Sequence, residues 1–413
     1  MSIAAFVRRL VRLTALLACG PIVLAAAGAA VAGPKAYVGN FKDSTVSVID
    51  TATGAVVATV PVAVGPHGMA VSADGKTVYV TGDGSSSMSV IDTATDTVAR
   101  TVEVGPTPHG VALLPDGRTI LVGVYGADLV AFVDTASRDV VASVAVPKPH
   151  TIAVRPDGKV AYVASQEPGQ FALVVVDLAT RAVLRRIALD KPPRDPEFSH
   201  DGKYLYVTTA GANVLRVIDA ATDTVIAEIA TGPSPHIGKW FAGAAVGTIV
   251  VQGPGELLTF DPTSQAPLRA FAVGKQPHWM ASDGKTVWVT NEGSNDVSAV
   301  DLASGKTTTI AVGNAPRKIV VQPAATKSAA AGPTVSIANF AFAPSPVRVE
   351  RGSAVTWSND DGAPHALAFG DGATPSDLLL PGQRFTRHYA SAGTFGYVCS
   401  VHPYMRGTVT VTP

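Results

Sequence analysis

The stretch PHGMAVSADGKTVYVTGDGSSSMSVIDTATDTVARTVEVG, residues 66–105, sets the pattern on which most of the chain is built. An apolar run leads into the turn Asp74-Gly75, and the run Thr77–Thr81 leaves it. Two further runs surround the Thr-Ala-Thr turn that follows Ile91-Asp92. Short runs rich in Val, Ile and Thr between such turns are typical of β-strands, and Asp-Gly favours a hairpin. The stretch therefore predicts four short antiparallel strands.

The same pattern repeats along residues 34–322 with a period of about 42 residues. The Asp-Gly turn recurs in most units and is lost in the fifth, between Phe241 and Gly247. An apolar residue followed by aspartate recurs in every unit, at Asp50, Asp92, Asp134, Asp177, Asp219, Asp261 and Asp301. A period of 40 to 45 residues with four strands per unit is typical of a β-propeller. Counting the first strand of each unit predicts seven blades.

The two ends of the repeat region complement each other. Lys35–Val38 matches the second strand of a unit, and Lys318–Val321 matches a first strand. One blade is therefore expected to be closed by both ends of the domain, which removes exposed strand edges. Through Tyr79-Val80-Thr81 and Val289-Thr290-Asn291, the repeat resembles the YVTN family of propellers. That resemblance implies a fold, and a propeller alone says little about function.

A second kind of sequence follows the repeats, and its chemistry lies in Cys399-Ser-Val-His402-Pro-Tyr-Met405. A thiolate, an imidazole and a thioether on one short loop suit copper better than zinc, magnesium or iron. A mononuclear blue-copper site needs two His and one Cys with a distant axial Met. His365, which follows Pro364 at the end of an earlier strand, is available as the second histidine.

The surrounding residues indicate how these side chains could meet. Val355–Trp357, Thr394–Val398 and Gly407–Val411 are short runs typical of β-strands. Cys399 would then end one strand, and Met405 would stand just before the last. The competing interpretation is a buried free cysteine that serves as a small hydrophobic residue and lies near histidines by chance.

The spacing resembles that of the small cupredoxins, and the short Cys-x-x-His-x-x-Met loop is most similar to amicyanin. Plastocyanin-like members have a longer gap before the methionine. The resemblance implies a Greek-key β-sandwich and one type 1 copper centre. It also implies that His365, Cys399, His402 and Met405 are the copper ligands.

These patterns divide the chain into four segments. We expect a signal peptide at residues 1–32, a seven-bladed propeller at 33–322, a linker at 323–333 and a cupredoxin domain at 334–413. The predicted fold class is thus all-β, a propeller followed by a β-sandwich. At 413 residues, two folded domains of this kind are a reasonable number.

The first 32 residues have the features of an export signal. Arg8, Arg9 and Arg12 precede a mostly apolar run, and Ala30-Val31-Ala32 fits a cleavage site with small residues. The protein is therefore expected in the periplasm or secreted, by either the general or the twin-arginine route. No later stretch is long and apolar enough to cross a membrane. The formal net charge is zero and 15% of residues are charged, which does not favour nucleic acid as a partner.

A third landmark precedes the first strand of each unit, where a proline is followed by histidine or arginine. We call these seven residues the ring: His67, His109, His150, Arg194, His236, His278 and Arg317. Their loops are expected to rim one mouth of the central channel. Three interpretations stay open: a repeat habit in which imidazoles bond neighbouring carbonyls, anion binding, or metal binding by neutral imidazoles.

The arrangement of a propeller before a cupredoxin is similar to nitrous oxide reductase, whose propeller holds a copper cluster on histidines. This resemblance implies that additional copper could lie in the propeller. Two departures weaken it, because the C-terminal domain here has one cysteine rather than a pair and two of the seven ring positions are arginine.

The function favoured by the sequence is electron transfer by one blue-copper centre, with the propeller as a docking or ligand-binding platform. The expected partner is a cytochrome or a dehydrogenase, and covalent haem is not expected because Cys-x-x-Cys-His is missing from the sequence. A copper oxidoreductase fed by the cupredoxin, and a propeller scaffold for protein interaction, are the alternatives. The last inner strand is expected to lead away from the ring face, and a linker of about 11 residues spans at most ~36 Å. The cupredoxin would then barely reach the ring of its own chain, so a homodimer is considered.

Overall fold

The computed structural model describes residues 34–323, 332–373, 375–376, 378–389 and 391–412. Within these residues the regular elements are β-strands, apart from a short 3-10 helix at Tyr125–Ala127. The strands form nine four-stranded sheets, seven before residue 323 and two after residue 332. This confirms the predicted all-β class, a propeller followed by a second β-domain.

The seven propeller sheets each contain four antiparallel strands in sequence order, apart from one sheet shared by the two ends of the domain. The strands are β1 Lys35–Asn40, β2 Thr45–Asp50, β3 Val56–Pro61, β4 Pro66–Val71, β5 Thr77–Gly82, β6 Ser87–Asp92, β7 Thr97–Glu103, β8 Pro108–Leu113, β9 Thr119–Val124, β10 Leu129–Asp134, β11 Val140–Ala145, β12 Pro149–Val154, β13 Val160–Ser165, β14 Ala172–Asp177, β15 Ala182–Ala188, β16 Pro193–Phe198, β17 Tyr204–Thr209, β18 Val214–Asp219, β19 Thr224–Ala230, β20 Pro235–Lys239, β21 Gly247–Val251, β22 Glu256–Phe260, β23 Pro267–Ala272, β24 Pro277–Ser282, β25 Thr286–Asn291, β26 Asp296–Asp301, β27 Thr307–Ala311 and β28 Pro316–Val321.

The propeller closes through its innermost strands. Strands β4, β8, β12, β16, β20, β24 and β28 pack against one another in this order, and β28 returns to β4. Strand β28 also pairs with β1, where Val38 lies opposite Ile319. This confirms that the two ends of the domain share one blade. The shared blade has four strands like the others, so the circle of blades closes without a gap and leaves only short, protected strand edges.

The aspartate that recurs in each repeat unit has a structural role. Asp50 ends β2, and its carboxylate accepts hydrogen bonds from the backbone amides of Ala52 and Thr53 at 3.0 and 2.9 Å, which forms the turn into β3. The equivalent aspartates in later units do the same, as Asp177 and Asp219 show. Short polar side chains that bond the backbone two or three residues later favour such turns. The repeated aspartate therefore serves the fold.

The hydrophobic core of the propeller lies between successive blades. Val90 and Tyr79 of one blade pack in one cluster with Val111 and Val122 of the next. The equivalent side chains fill the space between each of the other neighbouring pairs of blades. Alternating strand residues thus bury both faces of each sheet, which is the burial that a stack of twisted sheets requires.

The C-terminal domain consists of two four-stranded sheets, in the orders β30-β29-β32-β34 and β31-β36-β35-β33. Its strands are β29 Thr334–Ala338, β30 Ala341–Ala343, β31 Val347–Glu350, β32 Ala354–Asn359, β33 Leu367–Phe369, β34 Arg384–His388, β35 Gly393–Cys399 and β36 Arg406–Thr412. Trp357, Leu367, Tyr397 and Val409 lie in one core cluster, to which both sheets contribute. Cys399 ends β35, and Met405 immediately precedes β36, as the sequence predicted.

Two expectations lie outside the described residues. The predicted signal peptide at residues 1–32 is one, and most of the predicted linker, 324–331, is the other. Among the residues that are described, no helix has the length and apolar character needed to cross a membrane.

Candidate metal centre

Three side chains of the C-terminal domain converge on one point. Sγ of Cys399 lies 3.5 Å from Nδ1 of His365 and 3.7 Å from Nδ1 of His402. Among the described residues, these form the one group of three His, Cys, Asp or Glu side chains whose ligand atoms all lie within 4.8 Å of one another. The sequence had placed the three residues on two separate segments, and the fold brings them together.

Strand pairing positions the cysteine and the first histidine. Leu367 of β33 lies opposite Cys399 of β35, and the amide of Ser400 donates to the carbonyl of Ala366 at 2.8 Å. His365 is held on its other side by a bridge to Leu379, with paired backbone hydrogen bonds of 3.0 and 2.7 Å. Both residues are therefore fixed by backbone hydrogen bonds on either side of the site.

The orientation of the His365 ring is set by Asp361. Nε2 of His365 lies 3.0 Å from Oδ2 of this carboxylate. Because a carboxylate accepts, Nε2 carries the proton and Nδ1 presents a lone pair towards Cys399. A hydrogen bond on the far nitrogen is the usual way in which proteins orient a metal-binding histidine. Partial burial opposes ionisation of Asp361, but the amides of Phe340 and Asn339 and the His365 ring lower its pKa.

The Cys399 sulfur is shielded from solvent, and a backbone amide contacts it. The residue is completely buried and has no disulfide partner among the described residues. The amide of His402 donates to Sγ at 3.4 Å. An N–H···S contact stabilises negative charge on sulfur, as a thiolate ligand requires.

Met405 is tied into the same loop. Its amide donates to the carbonyl of His402 at 2.9 Å, and its carbonyl accepts from the amide of Cys399 at 3.1 Å. The side chain is buried in the core cluster that contains Cys399. The loop is thus a compact turn closed at both ends, and it places Met405 in the same core cluster as Cys399.

The surface beside His402 is apolar. His402 is half-buried, and the Phe340 ring lies edge-on to it with the centroids 4.9 Å apart. Tyr404 and Val401 flank the same loop and are 69% and 42% exposed. Exposed apolar groups in a cluster, rather than scattered singly, are typical of interaction surfaces.

Sequence reasoning missed Asp361 and Phe340 as part of the site. Asp361 stands four residues before His365, and this spacing is the one signal in the sequence that could have identified it. Phe340 belongs to a turn far earlier in the chain, and only the fold brings it to the histidines.

The donor set indicates which metal would fit. One thiolate sulfur and two imidazole nitrogens, with a thioether nearby, are typical of type 1 copper sites. Zinc in a structural site would need four strong ligands, and magnesium or calcium would need oxygen ligands. The group His365, Cys399 and His402 therefore fits copper.

The propeller ring takes a different form from the expected one. Its members are the second residues of the inner strands, and the five imidazoles are buried rather than carried on rim loops, His150 slightly less than the others. Neighbouring rings lie close together with their planes tilted by 37–43°, and the centroids are 3.7 Å apart for His67 and His109, 4.0 Å for His109 and His150, and 3.9 Å for His236 and His278. The ring histidines form no group of three ligand atoms within 4.8 Å of one another in the described part of the chain.

Two of these imidazoles bond the neighbouring blade, as the repeat interpretation expects. Nδ1 of His109 donates to the carbonyl of His150 at 3.0 Å, and Nδ1 of His150 donates to the carbonyl of Arg194 at 3.2 Å. Burial, followed by nearby positive groups, lowers the pKa of His67, His236 and His278 well below the usual value. The ring is therefore mostly a set of neutral imidazoles with two arginines among them.

Comparison with known families divides the chain in the same way. Residues 25–116 match a model described as YNCE-like beta-propeller. Residues 330–412 match a model described as copper binding proteins of the plastocyanin/azurin family. The N-terminal domain is thus a YNCE-like propeller, and the C-terminal domain is a plastocyanin/azurin-type copper-binding domain.

Individual proteins agree with this division. Amicyanin-alpha of Methylorubrum extorquens is 37% identical over 93 residues, which cover 21% of this chain and 78% of that protein. Plastocyanin of Scenedesmus fuscus is 36% identical over 83 residues, which cover 17% of this chain and 85% of that protein. The structure of Kuenenia stuttgartiensis hydrazine synthase aligns with a TM-score of 0.60 at 22% identity, over 65% of this chain and 92% of that one. At that identity the likeness is one of fold.

Proposed function

Through residues 330–412 the chain belongs to the plastocyanin/azurin family of copper-binding proteins, and on this premise we propose that it is an exported electron carrier. Nδ1 of His365, Sγ of Cys399 and Nδ1 of His402 would hold one type 1 copper, and the thioether of Met405 would be a fourth, weaker ligand. The convergence of Sγ with both Nδ1 atoms at 3.5 and 3.7 Å is the observation that carries the proposal.

The copper ion supplies a one-electron couple between its cuprous and cupric forms. The protein holds the ligands in one arrangement for both forms. Cys399 is fixed by strand pairing, and His365 by its backbone bridge and by Asp361. Ligands that are already ordered move little when the charge changes, so each transfer requires little rearrangement. Burial of Cys399 and His365 also keeps water from the thiolate.

Because His402 is the more exposed of the two histidines, the electron would enter and leave by its edge. This imidazole is less buried than that of His365, and the exposed side chains of Phe340, Val401 and Tyr404 surround it. Redox partners meet through small interfaces that separate quickly, and an apolar patch of this kind suits such contact. The proposed partner is a soluble cytochrome or dehydrogenase in the periplasm.

Export and the role of the propeller are further parts of the proposal. The positively charged start, apolar run and small-residue site within residues 1–32 support export. A lone mature cysteine is also better explained as a metal ligand than as a free thiol in an oxidising compartment. The propeller is proposed as a docking or ligand-binding platform that accompanies the carrier.

Copper content and colour test the carrier function. Full-length protein loaded with cupric ion is expected to hold one copper per chain and to show the intense thiolate-to-copper charge-transfer band of a blue site. Cys399→Ser should lose the band and keep the propeller folded by circular dichroism. His109→Gln in the propeller serves as the control and should keep both copper and colour. A colourless wild-type protein, or copper that depends on His109, would contradict the proposal.

A further inference from the structure

A cavity of about 320 Å³ lies inside the propeller, among the ring residues. Cavities of this order of size hold small ligands in other proteins. Arg194, His150 and His236 of the ring line it, together with Asp195 and Lys318, the residues that follow Arg194 and Arg317 on their inner strands. The copper centre uses none of these side chains.

Asp195 is the least explained polar group of the cavity. Its side chain is 1% exposed, and neither carboxylate oxygen has a hydrogen-bond partner among the described residues. Nδ1 of His236 approaches to 3.3 Å without the alignment of a hydrogen bond. The hydroxyl of Thr151 is committed to the carbonyl of Arg194 at 2.5 Å. Buried carboxylates in native proteins are almost always satisfied, so this one calls for a donor from within the cavity.

Two cations of the cavity also lack a carboxylate partner. Lys318 is buried, and its Nζ lies over the ring of Trp279, 2.8 Å from the centroid, with no hydrogen bond to any described residue. Nη1 of Arg194 donates to neutral acceptors, Oγ of Ser234 at 3.3 Å and Oε1 of Gln252 at 3.1 Å. Lys318 is buried and Arg194 is half-buried, and cations held away from water in this way favour an anion as their partner.

Arg194 and Lys318 differ in this respect from neighbouring cations of the channel, which are paired with carboxylates. Arg317 forms a two-pronged contact with Glu292 at 3.1 Å, and Lys239 pairs with Glu197 at 3.0 Å. Arg194 and Lys318 therefore have no carboxylate within ion-pair distance among the described residues, and Asp195, which interacts with both at longer range, offsets only one of the two positive charges.

His150 adds a second acceptor. Its Nδ1 donates to the carbonyl of Arg194, so the neutral ring keeps an unprotonated Nε2. Burial, the largest effect, lowers the pKa of His150, which favours this neutral form. The cavity thus combines cations that need an anion with acceptors that need an N–H or O–H group.

We propose that the propeller binds a small carboxylic acid that carries its own hydrogen-bond donor, an amino acid or a hydroxy acid, in this cavity. The carboxylate of the ligand contacts Arg194 and Lys318. The amino or hydroxyl group of the ligand donates to Asp195 and to Nε2 of His150. This inference deepens the ligand-binding role proposed for the propeller and is independent of electron transfer by the copper domain.

Calorimetric titration of the copper-loaded full chain tests the ligand class. Glycine, L-glutamate and L-lactate are compared with acetate, which lacks the donor, and with ethanolamine, which lacks the carboxylate. At least one of the first three is expected to bind about tenfold or more tightly than acetate, since a hydrogen bond to a charged group contributes that much. Binding by glycine or glutamate points to amino acids, and binding by lactate to hydroxy acids. Equal affinity for acetate, or no binding by any acid, overturns the proposal.

Variants then test the residues. Arg194→Gln and Lys318→Met should each weaken binding by about tenfold or more, and Arg194→Lys should recover part of the loss if the protein is folded. Asp195→Asn should reduce the preference over acetate. Lys239→Met, which removes a cation already paired with Glu197, is the matched control. Unchanged affinity in the first two variants, or loss of binding in the control, contradicts the assignment. The blue band should persist in all of them, so a failure here is distinct from failure of the carrier function.

Discussion

Nε2 of His365 donates a hydrogen bond to Oδ2 of Asp361 at 3.0 Å, and this contact connects the buried side of the centre with its exposed aromatic edge. The same carboxylate accepts from the amides of Asn339 at 2.6 Å and Phe340 at 3.0 Å. Both residues have positive φ, 50° and 55°, which non-glycine residues adopt only where other contacts compensate. Asp361 therefore fixes the ring of His365 and the turn that places Phe340 beside His402.

Replacing Asp361 should weaken copper binding without removing a ligand. In Asp361→Ala, His365 loses the partner that orients its ring, and partners of this kind typically contribute about 10- to 100-fold to metal affinity. Competition with a chromophoric chelator measures the affinity. Asp371→Ala is the matched control, because Asp371 pairs with Arg387 in the same domain and has no contact with the ligands. Equal losses in the two variants would show that the effect is one of domain stability.

Met405 is expected to tune the reduction potential rather than the colour. A weak axial thioether donates more to the cupric than to the cuprous ion, so Met405→Leu should raise the potential and keep the blue band. Met405→Gln, which offers a stronger oxygen donor, should lower it. Protein-film voltammetry gives both values. Met280 is a buried methionine of the propeller, and Met280→Leu should leave the potential unchanged. A shift in this control would mean that the changes in the two Met405 variants do not report on the copper site.

Tyr404 is expected to affect transfer to a protein partner but not to a small oxidant. A charge at this exposed position breaks the apolar patch beside His402, and Tyr404→Lys should slow oxidation by a soluble c-type cytochrome by about tenfold, equivalent to about 1.4 kcal/mol of contact. Stopped-flow absorbance of the blue band measures the rate. Oxidation by ferricyanide should change much less. Val56→Lys, an exposed apolar position on the propeller, should leave the cytochrome rate unaltered.

The sequence predicted much of this fold because its signals are local and repeated. Asp50 and its equivalents form turns with residues two and three positions later, so a short stretch of sequence is enough to predict these turns. The order of Cys399, His402 and Met405 is equally local, and one loop carries all three. Predicting His365 as a ligand required only the assumption that the strand after it pairs with the strand that ends at Cys399, as β33 and β35 do.

Other features depend on long-range packing and could not be read in this way. The Pro-His motif indicated a ring, but whether its imidazoles lie at a rim or inside the channel depends on how closely the inner strands approach. Gly68 shows the cause, because a Cβ at this position would lie 2.1 Å from the carbonyl oxygen of His109. The contact joins two blades, and no short window of sequence contains both partners.

Gly68→Ala should therefore destabilise the propeller. The added methyl group cannot fit against the backbone of β8 unless the strands separate, and overpacking of this kind costs about 1–3 kcal/mol or more. Denaturant unfolding followed by tryptophan fluorescence measures the loss. Gly362→Ala provides the control, because a Cβ there would meet no atom within 4 Å and the backbone does not require positive φ. Similar stability of the two variants would contradict the close approach of β4 and β8.

The buried imidazoles predict that the propeller loses stability in mild acid. Burial is the largest effect that lowers the pKa of His67, His109, His236 and His278, and neighbouring positive groups add to it. In the unfolded chain these histidines take up protons near their ordinary pKa of about 6.5, whereas in the folded chain they stay neutral to lower pH. The unfolded state then binds more protons, so stability is fully present above that pH and falls below it, by up to about 1.4 kcal/mol per pH unit for each imidazole. Unfolding free energies measured between about pH 7.5 and pH 5.5 should show this slope. It should be shallower in His278→Gln and unchanged in His388→Gln, where the histidine is exposed.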